Sequence, residues 1–190
     1  SEFYFGSGGA CTLLCRFFEK KSILINIIPH HLSNQTHSFS KNNFILYKKV
    51  FCLKQKKILS ISEIFNDKKL FVAETSELDK TKFTTNDINN KKYILIENTE
   101  DEILDVVKEF YEYNFNNKIS ETSEMKEFNS IRNTAINKLL NDFKEYKNYP
   151  SVSLYKNTQI NVSTNYLKKY LYPSKFLVAE SEFYKKKFNQ

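Results

Sequence analysis

Three glycines, the whole complement of this 190-residue chain, stand within four consecutive positions: Gly6, Gly8 and Gly9 of Phe5-Gly6-Ser7-Gly8-Gly9-Ala10. Glycine in a tight turn permits positive φ and lets a ligand come close to the main chain. If a helix starts at that turn, its first N–H groups lack partners and lie at the positive end of the helix dipole, which suits a phosphate. The stretch is neither the dinucleotide fingerprint nor a Walker loop, because the third glycine of GxGxxG is missing and no Gly-Lys-Ser/Thr follows. The plain alternative is a strand-to-helix turn whose glycines serve backbone geometry alone.

Other residues could carry different chemistry. Cys11 and Cys15 are four apart, on one face of a helix, and His30, His31 and His37 follow in a polar segment. A zinc site needs ligands at spacings that this set does not match, and buried reduced cysteine is the commoner fate, so no metal is expected. A Cys-His nucleophile pair lacks any visible group to orient the histidine. Arg16 stands one turn above the glycine loop, and Glu97 stands at the carboxyl end of its strand; a solvated surface position is the plain reading of both.

The elements that must position these residues are legible from apolar patterning. Phe3-Tyr4-Phe5 reads as a buried strand, the stretch from Thr12 to Lys20 can hold a helix, and Ser22 to Ile28 reads as a second buried strand. A helical crossover makes the two strands parallel, so the glycine turn and the segment from Pro29 to Asn43 emerge at one edge of the sheet. Ligands of open α/β sheets lie along that carboxyl edge. Ser7, Thr12, Asn26, His30 and His31 therefore converge on one crevice, although Thr12 can instead turn inward with its helix.

Further along, Asn43 to Phe51 is expected as a short strand or an irregular aromatic segment on the outside. Ser60 or Ser62 can cap a short helix over 61–65, and Leu70 to Ala73 reads as a short extended piece. Lys92 to Glu97 reads as a strand. Thr99 followed by Glu100, Asp101 and Glu102 predicts a capping box at the start of an amphipathic helix. A second long helix is expected over 120–147, with Met125, Phe128, Ile131, Ala135, Ile136, Leu139, Leu140, Phe143 and Tyr146 on its apolar stripe. Ser163 to Leu171 reads as a short capped helix, and the charged tail from Glu182 to Gln190 as frayed at its end.

Composition narrows the function classes. The net charge is +7, but only two of the 29 basic residues, Arg16 and Arg132, are arginine. Phosphate and base recognition favour arginine, and the lysine doublets are dispersed, so nucleic acid is not an expected partner. Three cysteines at unpatterned spacing argue against a secreted disulfide scaffold. No apolar stretch reaches the length of a membrane span. The chain is expected to be cytoplasmic, with a peripheral place at a membrane as an option, and to lack a preceding segment, since it opens in a strand with no initiator methionine.

Several stretches together carry a resemblance. Phe3-Tyr4-Phe5-Gly6-Ser7-Gly8-Gly9, Lys21-Ser22-Ile23-Leu24-Ile25-Asn26, Lys57 to Phe65, Ile96 to Ile103 and Val162 to Tyr170 occur in this order. The succession resembles the carboxyl-terminal part of a group of GT-B-type glycosyltransferases of bacterial surface-polysaccharide loci. The resemblance implies an α/β fold: a partial Rossmann-like parallel sheet of three or four strands over 1–117, with a helical extension over 118–190. It implies transfer of a sugar from a nucleotide-sugar donor to a glycan acceptor, with no cofactor. Gly6, Ser7, Gly8, Gly9, Ala10, Thr12 and Arg16 would hold the donor diphosphate, and Asn26, His30, His31 and Glu97 its nucleoside or sugar. Gly9 and Ala10 stand where the family has Ser-Gly, which leaves backbone N–H groups to do the holding. The catalytic base would belong to a missing amino-terminal half, so the fragment would bind donor weakly and not turn over alone. The rival reading is a basic, aromatic-rich interaction or structural module without catalysis.

Overall fold

The computed structural model describes residues 2–7, 14–15, 17–27, 43–66, 93–116, 121–142 and 159–188. Four strands, β1 (Phe3–Gly6), β2 (Lys21–Ile27), β3 (Phe44–Tyr47) and β7 (Asn161–Val162), form one sheet in the order β1-β2-β3-β7. All three pairings are parallel, with Gly6 level with Leu24 and Leu24 level with Ile45. Strands of a parallel sheet are covered on both faces and therefore read as continuous apolar runs. β3 is such a run, buried at every position. The parallel four-stranded sheet agrees with the expected α/β class.

Side chains alternate along β3, and each face of the sheet has its own helical cover. Phe44 meets Phe110 and Tyr113 of α2 (Glu100–Phe115), whereas Tyr47 meets Phe65 of α1 (Ile61–Asn66) and Phe128 of α3 (Ser123–Asp142). The segment over 43–51, expected on the outside, is instead the centre of the core. Its apolar residues alternate too little to show a solvent face, because both faces are covered.

Lys48 alone separates β3 from β4 (Lys49–Cys52), and at that residue the chain passes from one sheet to another. The Lys48 N–H still donates to Ile27 of β2. From Lys49 onward the chain pairs antiparallel with β5 (Lys57–Leu59) on one side and β6 (Tyr93–Ile96) on the other. The predicted strand ending at Glu97 is therefore real but belongs to this second, three-stranded sheet.

Local signals set the helix starts. Thr99 and Glu102 close the expected capping box on α2. Ser60, rather than Ser62, begins α1: its hydroxyl accepts from the Glu63 N–H while the Glu63 carboxylate accepts from the Ser60 N–H. Burial pushes the Glu63 carboxyl up, but hydrogen bonds from Lys57 and Ser60 outweigh it and hold the group below its usual range. Ser163 caps α4 (Thr164–Tyr170), and the Glu109 carboxylate accepts from the Thr164 and Asn165 N–H groups. Burial of Glu109 outweighs those bonds and raises its pKa.

The end of the tail, where fraying is expected, lies outside the described residues. Lys175–Phe188 forms α5, which buries Leu177 and Ser181 and stacks Tyr184 on Phe188, with Phe188 against Phe51 of β4. Period 3.6 places those residues, with Glu180, on one face, and lysines on the others hide the pattern. Strand β7 and helices α3 to α5 thus complete the core that residues 3–115 begin.

Candidate functional site

The carboxyl ends of β1, β2 and β3 share one edge of the parallel sheet. β1 ends at Gly6, where an added Cβ would come within 2.6 Å of the Tyr4 hydroxyl. That hydroxyl donates to the Ser7 carbonyl at 3.1 Å. The missing side chain at Gly6 thus lets Tyr4 fold along the turn. Ser7 is exposed, and its hydroxyl makes no hydrogen bond among the described residues.

Asn26, the last residue but one of β2, has φ 56°, a left-handed conformation that asparagine tolerates better than most residues. The register slips between Leu24 and Ile27, so Asn26 sits in a bulge. Asn98, just after β6, fixes it there. The Asn26 N–H donates to Asn98 Oδ1 at 2.8 Å, and the Asn98 N–H donates to Asn26 Oδ1 at 2.7 Å. Asn98 Nδ2 donates to the Tyr47 carbonyl at 2.8 Å, so one side chain ties the ends of β2 and β3 to the start of α2. This reciprocal pair uses the acceptor of Asn26 and leaves its Nδ2 hydrogens without a partner among the described residues.

Glu97 lies next to this stitch, with its side chain 61% exposed, and pairs with Lys48. The structure therefore brings Asn26 and Glu97 together and places Gly6 and Ser7 on the same edge. Gly8, Gly9, Ala10, Thr12, Arg16, His30 and His31 lie outside the described residues, as do Cys11 and His37 of the weighed zinc set. Among the described residues no three His, Cys, Asp or Glu side chains cluster as metal ligands, and no helix is long and apolar enough to cross a membrane.

Sequence reasoning missed Lys48 and Asn98. Asn98 was visible only as the residue before a helix cap, and nothing along the chain pairs it with a residue 72 positions away. Lys48 was hidden in a lysine doublet whose members face opposite ways in an extended chain.

A second polar cluster lies beside this edge but is sealed. Lys49 is 1% exposed, and its ammonium lies 3.1 Å from Glu102 Oε1 and 3.1 Å from Glu180 Oε1. The Tyr170 hydroxyl stands 2.7 Å from both carboxylates, and the Thr99 N–H adds a bond to Glu102 at 2.8 Å. One hydroxyl proton is thus shared between two carboxylates. Burial, and then the hydrogen bond to Glu102, push the Tyr170 phenol far above its ordinary range. A cluster so enclosed cannot meet a substrate, and its chemistry is structural.

The sheet order advances in one direction from β1 to β7, without the reversal that opens a crevice between neighbouring strands of a doubly wound sheet. Compared with known proteins, the chain matches no family model, no curated protein and no solved structure.

Proposed function

We propose that the chain is the donor-binding part of a glycosyltransferase that moves a sugar from a nucleotide-sugar donor to a surface glycan. The observation that carries this reading is the convergence of Gly6, Ser7, Asn26 and Glu97 on the carboxyl edge of a parallel sheet. A one-directional run of parallel strands is what one half of a doubly wound sheet would look like, and the crevice of such a sheet opens at the outer edge of the half's first strand. In this chain that strand is β1, which the glycine-rich stretch follows in sequence, and its Phe5 is 45% exposed. In this reading the diphosphate lies on the turn after β1, and the Nδ2 hydrogens of Asn26 and the Lys48 ammonium face the rest of the donor. The acceptor hydroxyl oxygen bonds to the anomeric carbon as the glycosidic bond to the diphosphate breaks, and main-chain N–H groups of the glycine-rich stretch would stabilise the negative charge on the departing nucleoside diphosphate. A general base would take the acceptor proton.

Titration of the isotope-labelled protein with UDP, GDP and CMP tests the reading. One nucleotide is expected to shift the amides of Ser7, Asn26 and Glu97 together. Asn26→Asp keeps the acceptor to Asn98 and replaces the free donors by a carboxylate oxygen, whose added charge also repels a diphosphate, so it should weaken that nucleotide. Shifts spread evenly over surface lysines and abolished by salt would overturn the proposal.

A further inference from the structure

Away from the sheet edge, the β4–β5 turn and helix α5 enclose a groove of about 430 Å³. The groove follows from how α5 covers the free side of β5. The Ser181 hydroxyl accepts from the Ile58 N–H at 2.9 Å and donates to the Leu177 carbonyl at 2.6 Å, which holds the helix against the strand. The turn over 53–56 supplies Lys54, Gln55 and Lys56 to the groove's lining.

Pro173 and Val178, the latter 61% exposed, give the hollow its apolar surface in front of the buried Ile58 and Leu177, and Gln55, Glu63, Ser181 and Glu182 also line it. Its rim carries Lys54, Lys56, Lys57 and Lys185. Lys57 pairs with Glu63 and Lys185 with Glu182. Lys54 and Lys56 have no carboxylate partner among the described residues, so the rim holds two uncompensated cations beside that apolar surface.

We propose that this groove docks an acidic segment of a partner protein that carries an aliphatic side chain between carboxylates. The occupant follows from three features together. The exposed Val178 and its apolar neighbours call for a hydrocarbon group, which a free phosphate lacks. The rim offers lysines as point charges, with neither the arginine fork nor the helix-start N–H groups that recognise phosphate. The hollow is concave and sized for a few side chains, whereas a bilayer surface needs a flat or convex partner. The docking is independent of the donor reading, because no residue of the groove belongs to the sheet edge.

The test is fluorescence anisotropy of a labelled glutamate peptide with one central leucine, at low ionic strength, against the intact chain. Lys54→Glu/Lys56→Glu is expected to weaken binding about tenfold by setting like charges opposite each other. Val178→Ser is expected to weaken it a few-fold, about as much as leucine-to-serine in the peptide. Lys138→Glu, on an exposed face of α3, should leave affinity unchanged. Equal loss with Lys138→Glu would show attraction by net charge alone and overturn the proposal. So would unchanged binding to the Lys54→Glu/Lys56→Glu protein, or tighter binding of inorganic phosphate or phosphatidylglycerol vesicles than of the peptide. Circular dichroism of each variant separates lost docking from lost fold.

Discussion

Lys48 and Lys49 are neighbours in sequence, and each pairs with a glutamate, yet they sit on opposite sides of the boundary between water and core. The Lys48–Glu97 pair has side chains 20% and 61% exposed, whereas the Lys49–Glu102 pair has side chains 1% and 4% exposed. Water screens the first pair, and its strength is small. The second has given up its hydration and depends on its partners: a second carboxylate, a phenol and a main-chain N–H. The contrast teaches that a charge near the candidate donor edge is free to exchange partners with a ligand, while a charge one residue further on is fixed in place. A binding site and a structural lock can thus occupy adjacent positions of one chain where it changes sheets.

The sharpest way to break this comparison is Lys49→Met, which leaves Glu102 and Glu180 buried without their cation. It is expected to destabilise the fold by about 3–5 kcal/mol in denaturant titrations. Adding Glu102→Gln and Glu180→Gln should recover much of the loss, and no recovery would refute the ionic account. Asn98→Ala removes the stitch between β2, β3 and α2 and should cost about 1–3 kcal/mol in the same measurement. If it leaves stability untouched, the edge is held by something else.

Alkaline pH probes the buried phenols. Burial pushes the Tyr47 hydroxyl up to about 12, only partly offset by the nearby Arg132 guanidinium, while an unfolded tyrosine titrates near 10. The folded state therefore keeps a proton that the unfolded chain has released. Its contribution is complete below pH 10 and is lost between 10 and 12, at about 1.4 kcal/mol per pH unit from Tyr47 alone. The raised phenols of Tyr166 and Tyr170 extend the loss to higher pH. At the water-facing end of the comparison, Lys48→Met should change stability by less than about 1 kcal/mol. Smallest of all is Tyr47→Phe at neutral pH, because that hydroxyl is buried without a hydrogen-bond partner among the described residues. Its effect is expected to be near zero at pH 7 and visible only as a shallower alkaline slope.

Local chemistry made much of the fold legible. Thr99 and Glu102 announced α2, Ser163 announced α4, and Ile23 to Ile27 announced β2 through apolar runs and cap residues that act within one turn or strand. The parallel pairing of β1 with β2 followed from the need for a crossover. Expectations fell short where a segment's environment came from distant chain. The burial of Phe44 to Phe51 depends on α1, α2 and α3 arriving on both faces. The packing of α5 depends on β5, whose Ile58 N–H meets Ser181 across 123 positions.

The candidate site divides in the same way. The sequence by itself determined that a strand runs up to Gly6, that Asn26 lies near the end of the next strand, and that an acid-rich capped helix follows Glu97, because spacing and side-chain chemistry act over a few residues. Only the tertiary structure decided that Asn98 locks Asn26 in a left-handed bulge, that Lys48 pairs with the exposed Glu97, and that Lys49 is sealed with Glu102, Glu180 and Tyr170. The physical reason is that desolvation and hydrogen bonding between remote residues depend on which surfaces meet, and that is settled only when the sheets and helices pack.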